Sequence, residues 1–111
     1  MKPGTLEVLN RLSETLLARR NADPSTSYTA SLFAKGPDAI LKKIGEETAE
    51  LIMAAKDGKR LHIVHEATDV FYHILVLMAF FDMSADDILQ EMHRREGISG
   101  IDEKRSRSAT K

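Results

Sequence analysis

The chain contains no cysteine. It can therefore form no disulfide and no thiolate zinc site, and it offers no cysteine nucleophile, which fits a cytoplasmic location. Charge of one sign is not in excess either. Sixteen Lys and Arg stand against seventeen Asp and Glu, for a net charge of -1. No polycationic face calls for a nucleic-acid partner. No apolar run approaches the ~18 residues of a membrane span, and Met1 to Asn10 lacks the apolar core of a signal peptide. Repeats and low-complexity segments are missing. What remains is one domain of 111 residues, with a small core and reason to hide further apolar surface in an oligomer.

What the chain does have is acid in a pattern. Gly45-Glu46-Glu47-Thr48-Ala49-Glu50 is followed, after an apolar and basic spacer, by Glu66-Ala67-Thr68-Asp69. Glu47/Glu50 and Glu66/Asp69 are each spaced i, i+3, which makes them neighbours on one surface of a helix. Like charges 4 Å apart repel by roughly 1 kcal/mol in water and about 4 kcal/mol near a protein surface. Four carboxylates gathered this way need a cation. An all-oxygen ligand set suits a hard divalent ion, Mg²⁺ above all, and Mg²⁺ suits phosphate chemistry.

Helical periodicity organises the rest. Leu6, Leu9, Leu12, Leu16 and Leu17 predict a packing helix from Thr5, as N-cap, to about Arg19. Residues 20–36 read as turn and loop around Asp23-Pro24 with one short helical turn. They are either a connector pinned by Leu32 and Phe33, or a segment whose hydroxyls and Lys35 meet an anionic ligand. Pro37 opens a helix that runs to about Lys56 and stops at Gly58. Glu47 borders its apolar stripe, and Lys43 lies between Glu47 and Glu50 in angle. Leu61 to about Phe81 forms the next helix, with His62, Glu66, Asp69 and His73 in one sector. Its second half, Ile74 to Phe81, is apolar all round and must be buried, which predicts a subunit interface there. The histidines are not expected as ligands, and His73 is read as a hydrogen-bonded residue behind the carboxylates. Ser84 caps a fourth helix ending near Arg95. Residues 1–96 form the domain, and 97–111 a polar, mobile-looking tail.

The double acidic motif resembles the signature of the MazG-like all-α nucleoside triphosphate pyrophosphohydrolases. Ser27-Tyr28-Thr29, Lys42-Lys43-Ile44-Gly45-Glu46-Glu47, Phe71-Tyr72-His73 and His93-Arg94-Arg95-Glu96-Gly97-Ile98-Ser99-Gly100 narrow the resemblance to the phosphoribosyl-ATP pyrophosphohydrolases of histidine biosynthesis. Thr48 and Thr68 depart from it, standing where the family usually has alanine. The resemblance implies an all-α bundle of four to five helices in an obligate oligomer, most simply a homodimer. It implies hydrolysis of 1-(5-phosphoribosyl)-ATP to 1-(5-phosphoribosyl)-AMP and pyrophosphate. Glu47, Glu50, Glu66 and Asp69 would hold Mg²⁺, and Glu46 would bind a second metal or orient the attacking water. Tyr28, Thr29, Lys43, Arg94, Arg95 and Lys104 are the candidate substrate contacts, and the tail of one subunit would close the site of another. Phosphoribosyl-AMP cyclohydrolase, often fused in this family, is expected as a separate enzyme of the next step. Two rivals remain: a housecleaning (d)NTP pyrophosphohydrolase on the same fold, and a non-enzymatic helical module with an acidic face.

Overall fold

Six α-helices and one short 3₁₀ turn make up the computed structural model, which describes residues 4–109. They are α1 (Thr5–Ala18), the 3₁₀ turn (Arg19–Asn21), α2 (Tyr28–Lys35), α3 (Pro37–Asp57), α4 (Arg60–Phe80), α5 (Ala85–Arg94) and α6 (Gly100–Ala109). No strand occurs among the described residues. The all-α expectation holds, with two helices more than periodicity alone suggested. The N-cap of α1 is Gly4 in a left-handed conformation, not Thr5, which is the first helical residue. The Leu6 side chain lies outside the described part.

Each helix end has a local cause. Ser27 caps α2 by accepting from the Ala30 amide at 3.2 Å. Gly36 separates α2 from α3 with φ 96° and ψ -179°, a conformation open essentially to glycine alone. Gly58 ends α3 in the left-handed region, donating to the Ala54 carbonyl at 3.1 Å. Only Gly58 and Lys59 then join α3 to α4, and so short a connection between packed helices makes an antiparallel hairpin. At the start of α5, Ser84 and Asp87 form a capping box, with the Ser84 amide donating to Asp87 Oδ2 at 2.9 Å.

The α3–α4 hairpin is the frame; α1 packs on α4, α2 on α3, and α5 on α1. Leu16, Leu32, Phe33, Ile40, Leu75, Val76, Ala79 and Ala85 form the core. Ile40 and Val76 are completely buried, and each contributes about 1.5–3 kcal/mol of burial free energy. A polar tie joins α1 to α5, where the Ala85 amide donates to the buried Ser13 hydroxyl at 2.9 Å.

Among the described residues, α4 alone is long and apolar enough to cross a membrane. Here it packs along α3 and carries buried Glu66 about a third of the way along, so it is the core helix of the bundle. Of its apolar second half, Leu75, Val76 and Ala79 are consumed by this chain's own core. The larger exposed apolar surface lies nearer its start, at Leu61, Val64 and Phe71. Val64 and Phe71 line a groove of about 460 Å³ with Val8, Leu9, Leu12 and Leu75.

Residues 97–111 are not a featureless tail. Gly100 to Ala109 is helical, and Glu103 on it is buried. The Arg94 guanidinium donates to both Glu103 oxygens, at 2.8 and 2.9 Å. Charge pairing between α5 and α6 thus ordered what composition alone suggested was loose.

Candidate functional site

Glu47 and Glu50 on α3 meet Glu66 on α4 with ligand-capable oxygens within 4.8 Å of one another. Glu47 and Glu66 are buried, while Glu50 is exposed. Lys43 Nζ lies 3.4 Å from Glu47 Oε1, and His62 Nε2 3.3 Å from Glu66 Oε1. The second oxygen of each carboxylate, Oε2, is buried without a hydrogen-bond partner. Two ionised carboxylates at such a separation repel by about 3 kcal/mol at an effective dielectric constant of 20. Orphaned buried acceptors carry a further desolvation penalty of about 1–3 kcal/mol each. An oxygen-ligated divalent cation would satisfy both, so the residues present fit one.

Asp69 does not join that trio directly. It belongs to an overlapping group with Glu66 and His65, its Oδ2 lying 3.4 Å from His65 Nε2. His65 went unremarked in the sequence, although its i, i+4 spacing from Asp69 places it there. Thr48 and Thr68 donate back to the Ile44 and Val64 carbonyls, each at 2.7 Å, and leave the carboxylates undisturbed.

Beside the carboxylates lies a cavity of about 300 Å³ lined by Tyr28, Lys35, Lys42, Lys43 and Glu46, with Leu32 and Ala39 as its apolar wall. Its three lysines come from the end of α2 and the first half of α3. Burial pushes the Tyr28 phenol above its ordinary value, with Lys43 opposing and Glu47, Tyr72 and Asp69 adding to the rise. Tyr28 thus feels acids of both helices. Lys43 in turn is held above its ordinary value, chiefly by the Tyr28 oxygen, with burial opposing and Glu47 reinforcing.

Several residues expected at the ligand sit elsewhere. Thr29 is buried and its hydroxyl is paired with that of Tyr72, so it fastens α2 to α4 and does not line the cavity. Arg94 is gripped by Glu91 at 2.5 Å and by Glu103. Arg95 pairs with the same Glu91 at 3.3 Å and borders a different groove, with Met78, Met83 and Met92. Lys104 is exposed on α6. None of these three lines the lysine cavity, whose walls come from α2 and α3. Lys35 and Lys42 line it instead. In the sequence, Lys35 belongs to one of two readings of its loop, and Lys42 stands only within the Lys42-Lys43-Ile44-Gly45-Glu46-Glu47 motif.

The family model for phosphoribosyl-ATP pyrophosphohydrolase matches residues 9–96. This chain belongs to that family. The matched span takes in the whole α3–α4 frame, the lysine cavity and the α5 capping box. Among curated relatives of this pyrophosphohydrolase, a protein of Dechloromonas aromatica named phosphoribosyl-ATP pyrophosphatase is 72% identical, covering 94% of this chain and 96% of its own length. Proteins of the same name from Aromatoleum aromaticum and an Azoarcus species are 57% and 59% identical over 95% and 92% of this chain, and over 97% and 95% of their own lengths. As a family member, the chain is a hydrolase.

Proposed function

We propose that this chain hydrolyses 1-(5-phosphoribosyl)-ATP to 1-(5-phosphoribosyl)-AMP and pyrophosphate in histidine biosynthesis. The observation that carries the chemistry is the pair of orphaned carboxylate oxygens, on Glu47 and Glu66, opening beside a cavity lined by three lysines. Acid to hold a cation and base to hold an anion are what a polyphosphate substrate requires.

Glu47, Glu50 and Glu66 would hold Mg²⁺, with Asp69 completing or flanking the set. When bound, the ion supplies charge neutralisation at the phosphates and acidifies water. Lys35, Lys42 and Lys43 receive the triphosphate and favour departure of pyrophosphate by balancing its growing negative charge. The α–β anhydride bond breaks, the water oxygen remains on one product and its protons pass to solvent or to the products. Glu46, exposed on the cavity wall, orients the attacking water and relays one of those protons.

We further infer a homodimer built over the apolar groove of Val8, Val64 and Phe71, acting in the cytoplasm on a small-molecule nucleotide, without nucleic-acid or membrane partners. The cyclohydrolase that consumes the product is the next enzyme.

Pyrophosphate release from phosphoribosyl-ATP and from free nucleoside triphosphates, with Mg²⁺ and with chelator, tests the reading. Preference for phosphoribosyl-ATP is expected. Preference for free (d)NTPs would overturn the substrate. No hydrolysis of any triphosphate, with no Mg²⁺ binding at millimolar concentration, would leave a helical assembly module. Glu46→Gln with full turnover and Mg²⁺ affinity would remove Glu46 from the chemistry.

A further inference from the structure

His73 is 5% exposed and makes two hydrogen bonds that together fix its proton. Its Nδ1 lies 2.7 Å from the Asp69 backbone carbonyl, and its Nε2 lies 2.9 Å from the Tyr28 hydroxyl. A carbonyl oxygen can only accept, so Nδ1 carries the ring hydrogen. In the neutral imidazole Nε2 is then a bare lone pair, and the Tyr28 hydroxyl must donate to it. Tyr28 and Tyr72 both meet the imidazole edge-on, at centroid distances of 6.0 and 5.5 Å. These rings and the Asp69 carbonyl hold the imidazole in one orientation.

The consequence falls on Tyr28, which is half-exposed and lines the lysine cavity. Its one hydroxyl proton is spent inward on His73. Toward the cavity its oxygen has only lone pairs to offer. Such an oxygen cannot donate to a phosphate. It can accept from Lys43, from water or from a hydroxyl or amino group of the nucleotide.

We propose that His73 is a positioning residue that holds the Tyr28 hydroxyl as a hydrogen-bond acceptor at the lysine cavity, and so orients hydrogen-bond donors of the bound substrate there. This rests on the site being the pyrophosphohydrolase site proposed above. It assigns Tyr28 to donor groups and leaves the phosphate oxygens to the lysines. The mutual influence of Tyr28 and Lys43 on each other's titration agrees with that adjacency.

Two measurements on the full chain test it. A long-range proton–nitrogen correlation spectrum of the resting protein reads the tautomer without any reaction. A protonated Nδ1 with unprotonated Nε2 is expected at His73, and the opposite tautomer overturns the proposal. Steady-state kinetics with phosphoribosyl-ATP then separate the two hydrogen bonds. His73→Gln keeps an acceptor near the Nε2 position, His73→Asn keeps only a group near Nδ1, and His73→Leu keeps neither. KM is expected to rise about tenfold in His73→Asn, His73→Leu and Tyr28→Phe, the upper worth of one neutral hydrogen bond. His73→Gln should stay within about threefold of the parent, kcat should change little, and Tyr28→Phe with His73→Leu should be no worse than Tyr28→Phe alone. Equal loss in His73→Gln and His73→Leu, unchanged KM in His73→Leu, or losses that simply follow Tm would overturn it. A parent protein with no hydrolysis at all would instead defeat the site reading, and the spectrum would still decide the tautomer.

Discussion

Glu47 and Glu66 approach each other from the two arms of one helical hairpin, and each buries its Oε2 atom without a hydrogen-bond partner. A folded chain tolerates such a pair when binding of a cation returns more than the pair costs.

Magnesium is therefore expected to stabilise the protein by mass action, by about 2.7 kcal/mol at a hundredfold excess over Kd. For a domain of this size each 1 kcal/mol corresponds to about 4–8 °C in Tm. Glu66→Gln should abolish both the Mg²⁺-induced rise and hydrolysis, while leaving the metal-free protein at least as stable as the parent. Thermal scans with Mg²⁺ and with chelator check this. A full Mg²⁺ shift retained in Glu66→Gln and in Glu47→Gln would place the ion elsewhere.

Gly36→Ala should destabilise the fold by about 1–3 kcal/mol. No atom lies within 4 Å of the position a Cβ would take, so the cost comes from the backbone at φ 96° and not from crowding. Because Gly36 sets α2 against α3, Tyr28 and Lys35 should shift relative to Lys42 and Lys43, and KM should rise with the loss of stability. Urea unfolding and steady-state kinetics on the same samples test both halves. Unchanged stability would mean that the joint relaxes freely.

The Arg94–Glu91 ion pair near the end of α5 should fail in acid. Arg94 holds the Glu91 carboxyl down to about 2 from 4.5, helped by Arg95 and opposed by burial. A carboxyl lowered on folding stabilises the folded state above its unfolded value and loses that contribution as pH falls through the folded one. Amide protection in residues 85–94, measured relative to intrinsic exchange, should therefore be greatest above about pH 4.5 and fall toward pH 2. At neutral pH, Glu103→Gln should open α6 to trypsin at Lys104 and Arg105. Protection unchanged in that variant would show that the ion pair does not hold the helix.

The apolar groove gives a fourth expectation. Phe71 is 50% exposed and Val64 is 63% exposed, and placing a charge among them should prevent two copies from packing. Light scattering after gel filtration should find a dimer for the parent and a monomer for Phe71→Glu. A monomeric parent at micromolar concentration would refute the interface.

Much of this frame was legible because α3 and α4 announce themselves with long periodic stripes and with Pro37, Gly58 and Ser84 as punctuation. The acidic spacing carried further, bringing Glu47, Glu50 and Glu66 to one place. Reading failed where a residue's partner was remote in sequence. Hydroxyl-rich residues 27–31 looked like loop, yet Ser27 caps a two-turn helix and Thr29 turns inward to Tyr72, 43 positions away. Arg94 looked like a phosphate ligand at a helix end, and only the fold reveals Glu103 waiting nine positions on. Local composition cannot say which of two anions, one internal and one soluble, will win a guanidinium.

Gly58 also marks a centre of symmetry. Glu50 and Glu66 each lie eight residues from it, and Glu47 and Asp69 each lie eleven. At 1.5 Å per residue, these mirror positions fall on matching rungs about 12 and 16 Å from the bend. One residue inserted at the bend and absorbed into α4 would slide one set of rungs past the other by about 1.5 Å and turn it by about 100°. The length of a two-residue hinge thus acts as the ruler for the carboxylate cluster.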